Sequence, residues 1–240
     1  MKLGCFGSSS QIPMIERAGF DNAELDICEI AAMDEASYKE LKARIASSPL
    51  GFKVFSGFMP LSERIHEAGF DSGKWFDHAE RSAERTAELG AEIWTFGAGK
   101  CRSIPEGISR ADGEKQVLEF VHGICERIAP YKITLVVEPL GPVNSNYLNY
   151  IGEAVDFIKK VDLDNCKTMC DLRHMHKLSE TLSDISRYVE YIKHAHIDYP
   201  DGDRRLFPME GDGFDYVPYL KALKESGYQG DLTVEATAYD

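Results

Sequence analysis

The chain has 240 residues, with 27 Lys+Arg against 40 Asp+Glu and a net charge of −13. That balance argues against a nucleic-acid partner, because neutralising phosphates requires a basic face. No run approaches the ~18 consecutive apolar residues of a membrane span, so no membrane partner is expected.

The opening "MKLGCFGSSS" carries one lysine and no apolar core, so it does not read as a signal peptide. Six cysteines (Cys5, Cys28, Cys101, Cys125, Cys166, Cys170) are scattered along the chain. Cys166 and Cys170 have neither the spacing of a zinc knuckle nor a second pair. Reduced thiols in a cytoplasmic protein are the expectation.

In chain order, apolar strand-like runs occupy 2–7, 23–27, 52–58, 91–97, 133–138, 166–171, 192–198 and 231–235. Helix-like segments lie at 34–46, 74–89, 114–129, 152–160, 183–190 and 214–226, with a short one near 11–18. Segment 74–89 is the clearest: Trp75, Ala79, Ala83, Thr86, Ala87 and Leu89 fall near one face and charges cover the other. Gly19, Gly69, Gly90 and Gly227 sit where helix patterns stop, as glycines just past a helix end. No linker or composition break divides the chain, so 1–240 reads as one domain.

Strands alternating with helices at an average spacing of ~30 residues predict a (β/α)8 TIM barrel. The alternative is an open doubly wound sheet, but "GCFGSSSQ" lacks the G-x-G-x-x-G spacing that fold usually carries. Only "ATAYD" follows Glu235, less than an outer helix needs. A barrel without its last outer helix is therefore expected, with an apolar gap beside strands one and eight that favours a homo-oligomer.

In such a barrel, reactive groups lie at the C-terminal ends of the strands. "ITLVVEPLG" (133–141) runs a buried strand into Glu138, which is costly unless a cation meets it. Asp171 ends the sixth strand, His196 lies near the end of the seventh, and Glu235 ends the eighth. Taken singly, each has a structural reading. Glu138 could form an ion pair, Asp171 could cap a helix, and Glu235 could simply be solvated. Of His194 and His196, one is expected to face the barrel interior, where a lone histidine is usually a satisfied core residue. Taken together, four neighbouring strand ends offering hard ligands point to a divalent cation.

The segments "VVEPLG", "CDLRHM", "HAHID" with "RLFPMEGDGFDYVPYLKAL", and "GYQGDLTVEAT" resemble the xylose-isomerase-like TIM barrel superfamily. The likeness is greatest to its sugar isomerase/epimerase branch, which includes ketose 3-epimerases and hydroxypyruvate isomerase. "FGAGKCRSIPEG" (96–107) resembles that branch's loop after the fourth strand. The resemblance implies one divalent ion, Mn²⁺ ahead of Mg²⁺, Co²⁺ or Zn²⁺, held by Glu138, Asp171, His196 and Glu235. It implies substrate contacts from His174 and from an arginine after the seventh strand. Arg205 is favoured over Arg204 for its spacing to Pro208.

The implied reaction removes a proton beside a carbonyl, forms a metal-stabilised enediolate, and returns the proton to the other face or the neighbouring carbon. Glu138 and Glu235 are the expected catalytic acid/base pair. The substrate would be a sugar or sugar phosphate, with Lys100 and Arg102 as candidate phosphate contacts. Asn144 stands where ketose 3-epimerases of this type carry a glutamate, which removes a charge from the sugar site. Keto-inositol or keto-acid dehydratases on the same metal site are an alternative, as is a non-catalytic sugar-binding barrel. Apurinic endonucleases of the superfamily need extra metal-binding histidines after strands three and four. "SGFMP" and "FGAGK" have none.

Overall fold

A computed structural model describes residues 1–201 and 204–236. Eight strands close in chain order into a parallel barrel: β1 Leu3–Gly7, β2 Asn22–Asp26, β3 Val54–Ser56, β4 Ile93–Phe96, β5 Thr134–Val137, β6 Cys166–Asp171, β7 Ile192–Ile197 and β8 Leu232–Val234. All eight lie within the runs expected from the sequence, apart from the first residue of β2. β1 pairs with β8, Cys5 opposite Val234, which completes the ring and leaves no open edge.

The outer layer contains α1 Ile12–Arg17, α2 Ile27–Ala32, α3 Glu35–Ser47, α4 Ser72–Glu88, α5 Gly99–Arg102, α6 Arg110–Ile128, α7 Ile151–Val161, α8 Leu172–Lys177, α9 Ser183–Arg187 and α10 Val217–Glu225. Asp34, Asp71 and Ser109 cap α3, α4 and α6 by accepting from backbone N–H groups three residues on. On α4 the expected face, Trp75, Ala79, Ala83 and Thr86, is buried. Gly90 turns the chain from α4 into β4 with φ +105°, and a Cβ there would crowd the Phe52 carbonyl at 3.0 Å. The short helices α2, α5 and α8 follow strands two, four and six directly and escape a periodicity reading, because four to six residues carry too little pattern.

Strand alternation sends Cys5, Leu25, Phe55, Trp94, Leu135, Cys170, Ala195 and Leu232 outward, where the helices bury them. The opposite set points into the barrel and becomes strongly polar toward the C-terminal mouth: Glu24, Ser56, Thr95, Asp171, His194 and His196 are all buried.

Two expectations change here. His194 and His196 both face the interior, because residues two apart on a strand share a face. The apolar gap beside strands one and eight is filled. Leu232 and Val234 are buried in one cluster with Tyr219 and Leu223 of α10, and Ile12 and Ile15 of α1 are buried beside β1. Leu3 and Met14 are the large apolar side chains left exposed on β1 and α1. The expected lack of a last outer helix concerns residues 237–240, which lie outside the described residues. Among the described residues, no helix is long and apolar enough to cross a membrane.

Candidate active site

β5 ends at Val137, and the Glu138 amide continues the ladder by donating to the Phe96 carbonyl at 3.2 Å. The side chain of Glu138 therefore points into the mouth of the barrel. Asp171, the last residue of β6, does two things at once. Its Oδ1 accepts from the His174 amide at 3.1 Å and caps α8, while Oδ2 faces the mouth. The capping and ligand readings of this residue are compatible because a carboxylate has two oxygens.

His196 Nδ1 lies 3.1 Å from Glu235 Oε2 and 3.8 Å from both Glu138 Oε1 and Asp171 Oδ2. One ligand atom from each of Glu138, Asp171, His196 and Glu235 can be chosen so that all four lie within 4.8 Å of one another. Glu138, Asp171 and His196 are each at most 3% exposed. Within this set, Glu138 Oε1 and His196 Nδ1 are buried without a hydrogen-bond partner among the described residues. Two orphaned buried atoms converging on one point are costly unless a further group meets them.

Arg205, not Arg204, enters the cluster. Its Nη1 donates to Glu235 Oε2, sits 3.4 Å from Asp171 Oδ2 and 3.6 Å from Asp198 Oδ2. Arg204 is exposed. The segment that delivers Arg205 is tied down by Arg173, buried at the start of α8. Arg173 donates from Nε to Asp198 Oδ2 at 2.6 Å, and from Nη2 to the carbonyls of Tyr199 at 2.5 Å and Arg204 at 2.7 Å. His174 receives the Gly141 amide at Nδ1, 3.2 Å away, so its Nε2 faces the mouth, 3.7 Å from Glu138 Oε1 and 3.1 Å from Arg205 Nη2.

The local charge is lopsided. Carboxylates from Glu24, Glu138, Asp171, Asp198 and Glu235 share this region with the guanidiniums of Arg173 and Arg205. Burial opposes ionisation of Asp171, yet the neighbouring His174, Arg205 and His196 outweigh it and hold its pKa well below the usual carboxylate range. Glu235 is lowered against burial in the same way, by Arg205 and then His196. Burial, reinforced by the Asp171 charge, pushes Asp198 up to about 7.

The donor set fits a divalent cation: three carboxylates and one imidazole nitrogen, surplus negative charge, and two orphaned atoms aimed at the same spot.

One expected substrate contact is placed elsewhere. Arg102 is fully buried beneath the mouth. Its guanidinium donates to the carbonyls of Phe96 at 3.0 Å, Glu138 at 2.5 Å, Tyr147 at 3.3 Å and Leu148 at 3.4 Å. It is therefore not free to meet a phosphate. It clamps the ends of β4 and β5, and burial pushes its pKa down to about 10. Asn144 is exposed on the loop after β5.

Sequence reading gave no role to Glu24, Asp198 and Arg173, and left His194 as one of two candidates for the barrel interior. Their signal was a charged or imidazole group inside or beside an apolar strand: Glu24 in "AELDI", His194 and Asp198 in "HAHID". Glu24 meets both histidines, with His194 Nε2 at 3.0 Å from Oε2 and His196 Nε2 at 3.2 Å from Oε1.

Residues 12–240 match the xylose isomerase-like TIM barrel family. An uncharacterised protein of Methanocaldococcus jannaschii is 29% identical over 162 residues, 63% of this chain and 59% of that protein. A D-psicose 3-epimerase of Ruminiclostridium cellulolyticum is 28% identical over 128 residues, 52% of this chain and 42% of that enzyme. The chain thus matches about half the length of these relatives. A crystal structure of D-psicose 3-epimerase in the presence of D-fructose superposes with a TM-score of 0.85 at 20% identity, covering 100% of this chain and 86% of the other. With nearly its whole length matched, and with a closed eight-stranded parallel barrel, the chain belongs to the xylose isomerase-like TIM barrel family.

Proposed function

We propose that this protein is a divalent-metal-dependent sugar isomerase or epimerase that moves a proton at the carbon beside a carbonyl. The observation that carries the reading is the convergence of Glu138, Asp171, His196 and Glu235 from four consecutive strand ends, with two of their buried polar atoms unpartnered. These four would hold the ion, Mn²⁺ ahead of Mg²⁺, Co²⁺ or Zn²⁺. When bound, the ion supplies the positive charge that acidifies a C–H beside a carbonyl and offsets the negative charge left on the sugar oxygens.

The chain's own residues do the rest. Glu138 and Glu235 come from β5 and β8, and each presents a carboxylate that can take or return a proton. His174 and Arg205 offer N–H groups to the sugar oxygens on which charge develops. Of these, Arg205 also donates to Glu235 Oε2 and, with His196, lowers its pKa against burial. Asn144, exposed on the loop after β5, offers a neutral amide to a distal hydroxyl.

Two of the three proteins named above are D-psicose 3-epimerases, one of them crystallised in the presence of D-fructose, which supports a ketose or related sugar as substrate. Nothing in the surroundings of Arg102 favours a phosphorylated one. All six cysteines are free thiols, which fits a reducing compartment, and we assign the protein to the cytoplasm.

The test is proton exchange. In D₂O with Mn²⁺, free ketoses should take up deuterium at the carbon beside the carbonyl, read by NMR, and a chelator should stop it. Loss of water from a keto-inositol or keto-acid would instead identify a dehydratase. Exchange with undiminished rate after complete metal removal would refute the reading.

A further inference from the structure

We propose that Glu24 is the positioning residue of the metal centre. Its carboxylate holds the Nε2 proton of His196 and thereby turns the Nδ1 lone pair toward Glu138, Asp171 and Glu235. The role rests on the metal-centre reading above, and it concerns a residue outside the quartet, on the far side of the imidazole.

The argument starts from the two nitrogens of one ring. A neutral imidazole carries a single N–H, and the partner of one nitrogen decides which it is. His196 Nε2 lies 3.2 Å from Glu24 Oε1 and 3.3 Å from Oε2. An ionised carboxylate can only accept, so the proton of neutral His196 belongs on Nε2. The lone pair that can bind a cation is then the one on Nδ1, which faces carboxylate oxygens at 3.1 to 3.8 Å. A cation at the centre of those oxygens takes the place of a proton on Nδ1, while Glu24 keeps the one on Nε2.

Glu24 is itself held on every side. Ser56 Oγ donates to Oε1, and Thr95 Oγ1 donates to Ser56 Oγ at 2.8 Å. His194 Nε2 meets Oε2 at 3.0 Å. The rings of His194 and His196 lie edge to face, with centroids 4.8 Å apart, so neither turns independently. A buried polar chain therefore runs from β4 through β3 and β2 to β7 and ends at the quartet. Its members are at most 8% exposed, which leaves solvent no part in fixing the ring. A carboxylate behind a metal-binding histidine orients the ring and raises its basicity, and removing it typically costs ~10–100-fold in metal affinity.

The competing use of this cluster is a second cation, since Glu24, His194 and His196 could also converge on one. It is disfavoured because Glu24 already accepts from three donors. Two bound ions per chain would overturn the proposal.

The experiment compares wild type with Glu24→Gln. The carboxamide presents an N–H as well as a carbonyl, so it no longer enforces a proton on Nε2. We expect Mn²⁺ affinity, by calorimetry, to fall ~10–100-fold while circular dichroism shows the variant folded. In the Zn²⁺-loaded wild type, ¹⁵N NMR of the His196 ring should show Nδ1 shifted by the metal and Nε2 still protonated. That second measurement decides the matter if the variant does not fold. A folded variant with wild-type Mn²⁺ affinity, or Zn²⁺ bound through Nε2, overturns the role of Glu24 and leaves the metal centre standing. A wild-type protein that binds no divalent ion overturns both.

Discussion

The carboxylate of Glu138 lies directly over the Cα of Gly97, so that a Cβ built on Gly97 would collide with Oε2. The two residues are the next positions along the β4–β5 ladder, beyond the Phe96–Val137 pair. Only glycine leaves room for that carboxylate to reach the mouth. Gly97→Ala should therefore push Glu138 aside. The cost of overpacking is about 1–3 kcal/mol, and deuterium exchange into the sugar should slow at least ~10-fold if Glu138 is the proposed acid/base group. Denaturant unfolding and NMR exchange check the two halves. Wild-type exchange in the alanine variant would show that Glu138 does not act from this position.

Glu235 is the quartet member most open to solvent, and it is the partner of Arg205 Nη1. Glu235→Gln removes one proposed anionic ligand and the proposed proton acceptor together. Calorimetry should show weaker Mn²⁺ binding, and NMR should show no deuterium uptake above background. Because Arg205 keeps Asp171 and Asp198 nearby, the fold should survive. Full retained activity would sink the proposed chemistry.

Arg102 holds four backbone carbonyls and, among the described residues, faces no carboxylate through a hydrogen bond. Arg102→Met leaves those buried acceptors unsatisfied, at about 1–3 kcal/mol for each that finds no other partner. The expected total loss is on the order of 3 kcal/mol, since relaxation and water recover part of it. Urea unfolding measures it. A variant as stable as wild type would mean that these carbonyls are satisfied without the guanidinium.

Glu180 accepts from the Ile151 amide at the start of α7, and burial raises its pKa from 4.5 to about 7. Between these values the unfolded chain gives up the proton first. Stability contributed by this residue therefore falls as pH rises from about 4.5 to about 7 and stays low above. Glu180→Gln removes the dependence. It should be more stable than wild type at pH 8, by on the order of 1–2 kcal/mol after discounting for partial exposure, and match it near pH 4. Equal stability at both pH values would show that Glu180 ionises freely in the folded protein.

The barrel was legible in the sequence because each strand is a short apolar run that turn residues or a carboxylate terminates. Pro139 and Gly141 end β5, and Gly97 ends β4, so the positions of Glu138 and its three partners at strand ends followed from local chemistry alone. Helix α4 was legible for the same reason: seventeen residues carry several turns of one buried face.

What the sequence could not express is which interior side chains meet across the closed ring. Glu24 and His196 are 172 positions apart, and only closure of the barrel brings a β2 carboxylate onto a β7 imidazole. Arg102 sits in "GKCRS", which reads as an exposed basic loop, yet the α5 turn buries it where four carbonyls converge. Likewise Arg204 and Arg205 are adjacent and chemically identical, and the grip of Arg173 on the Tyr199 and Arg204 carbonyls turns one outward and the other into the mouth. Local periodicity determined the elements and their ends. Contacts between residues far apart in the chain decided which polar groups became partners, because burial leaves each of them only the neighbours that the closed barrel supplies.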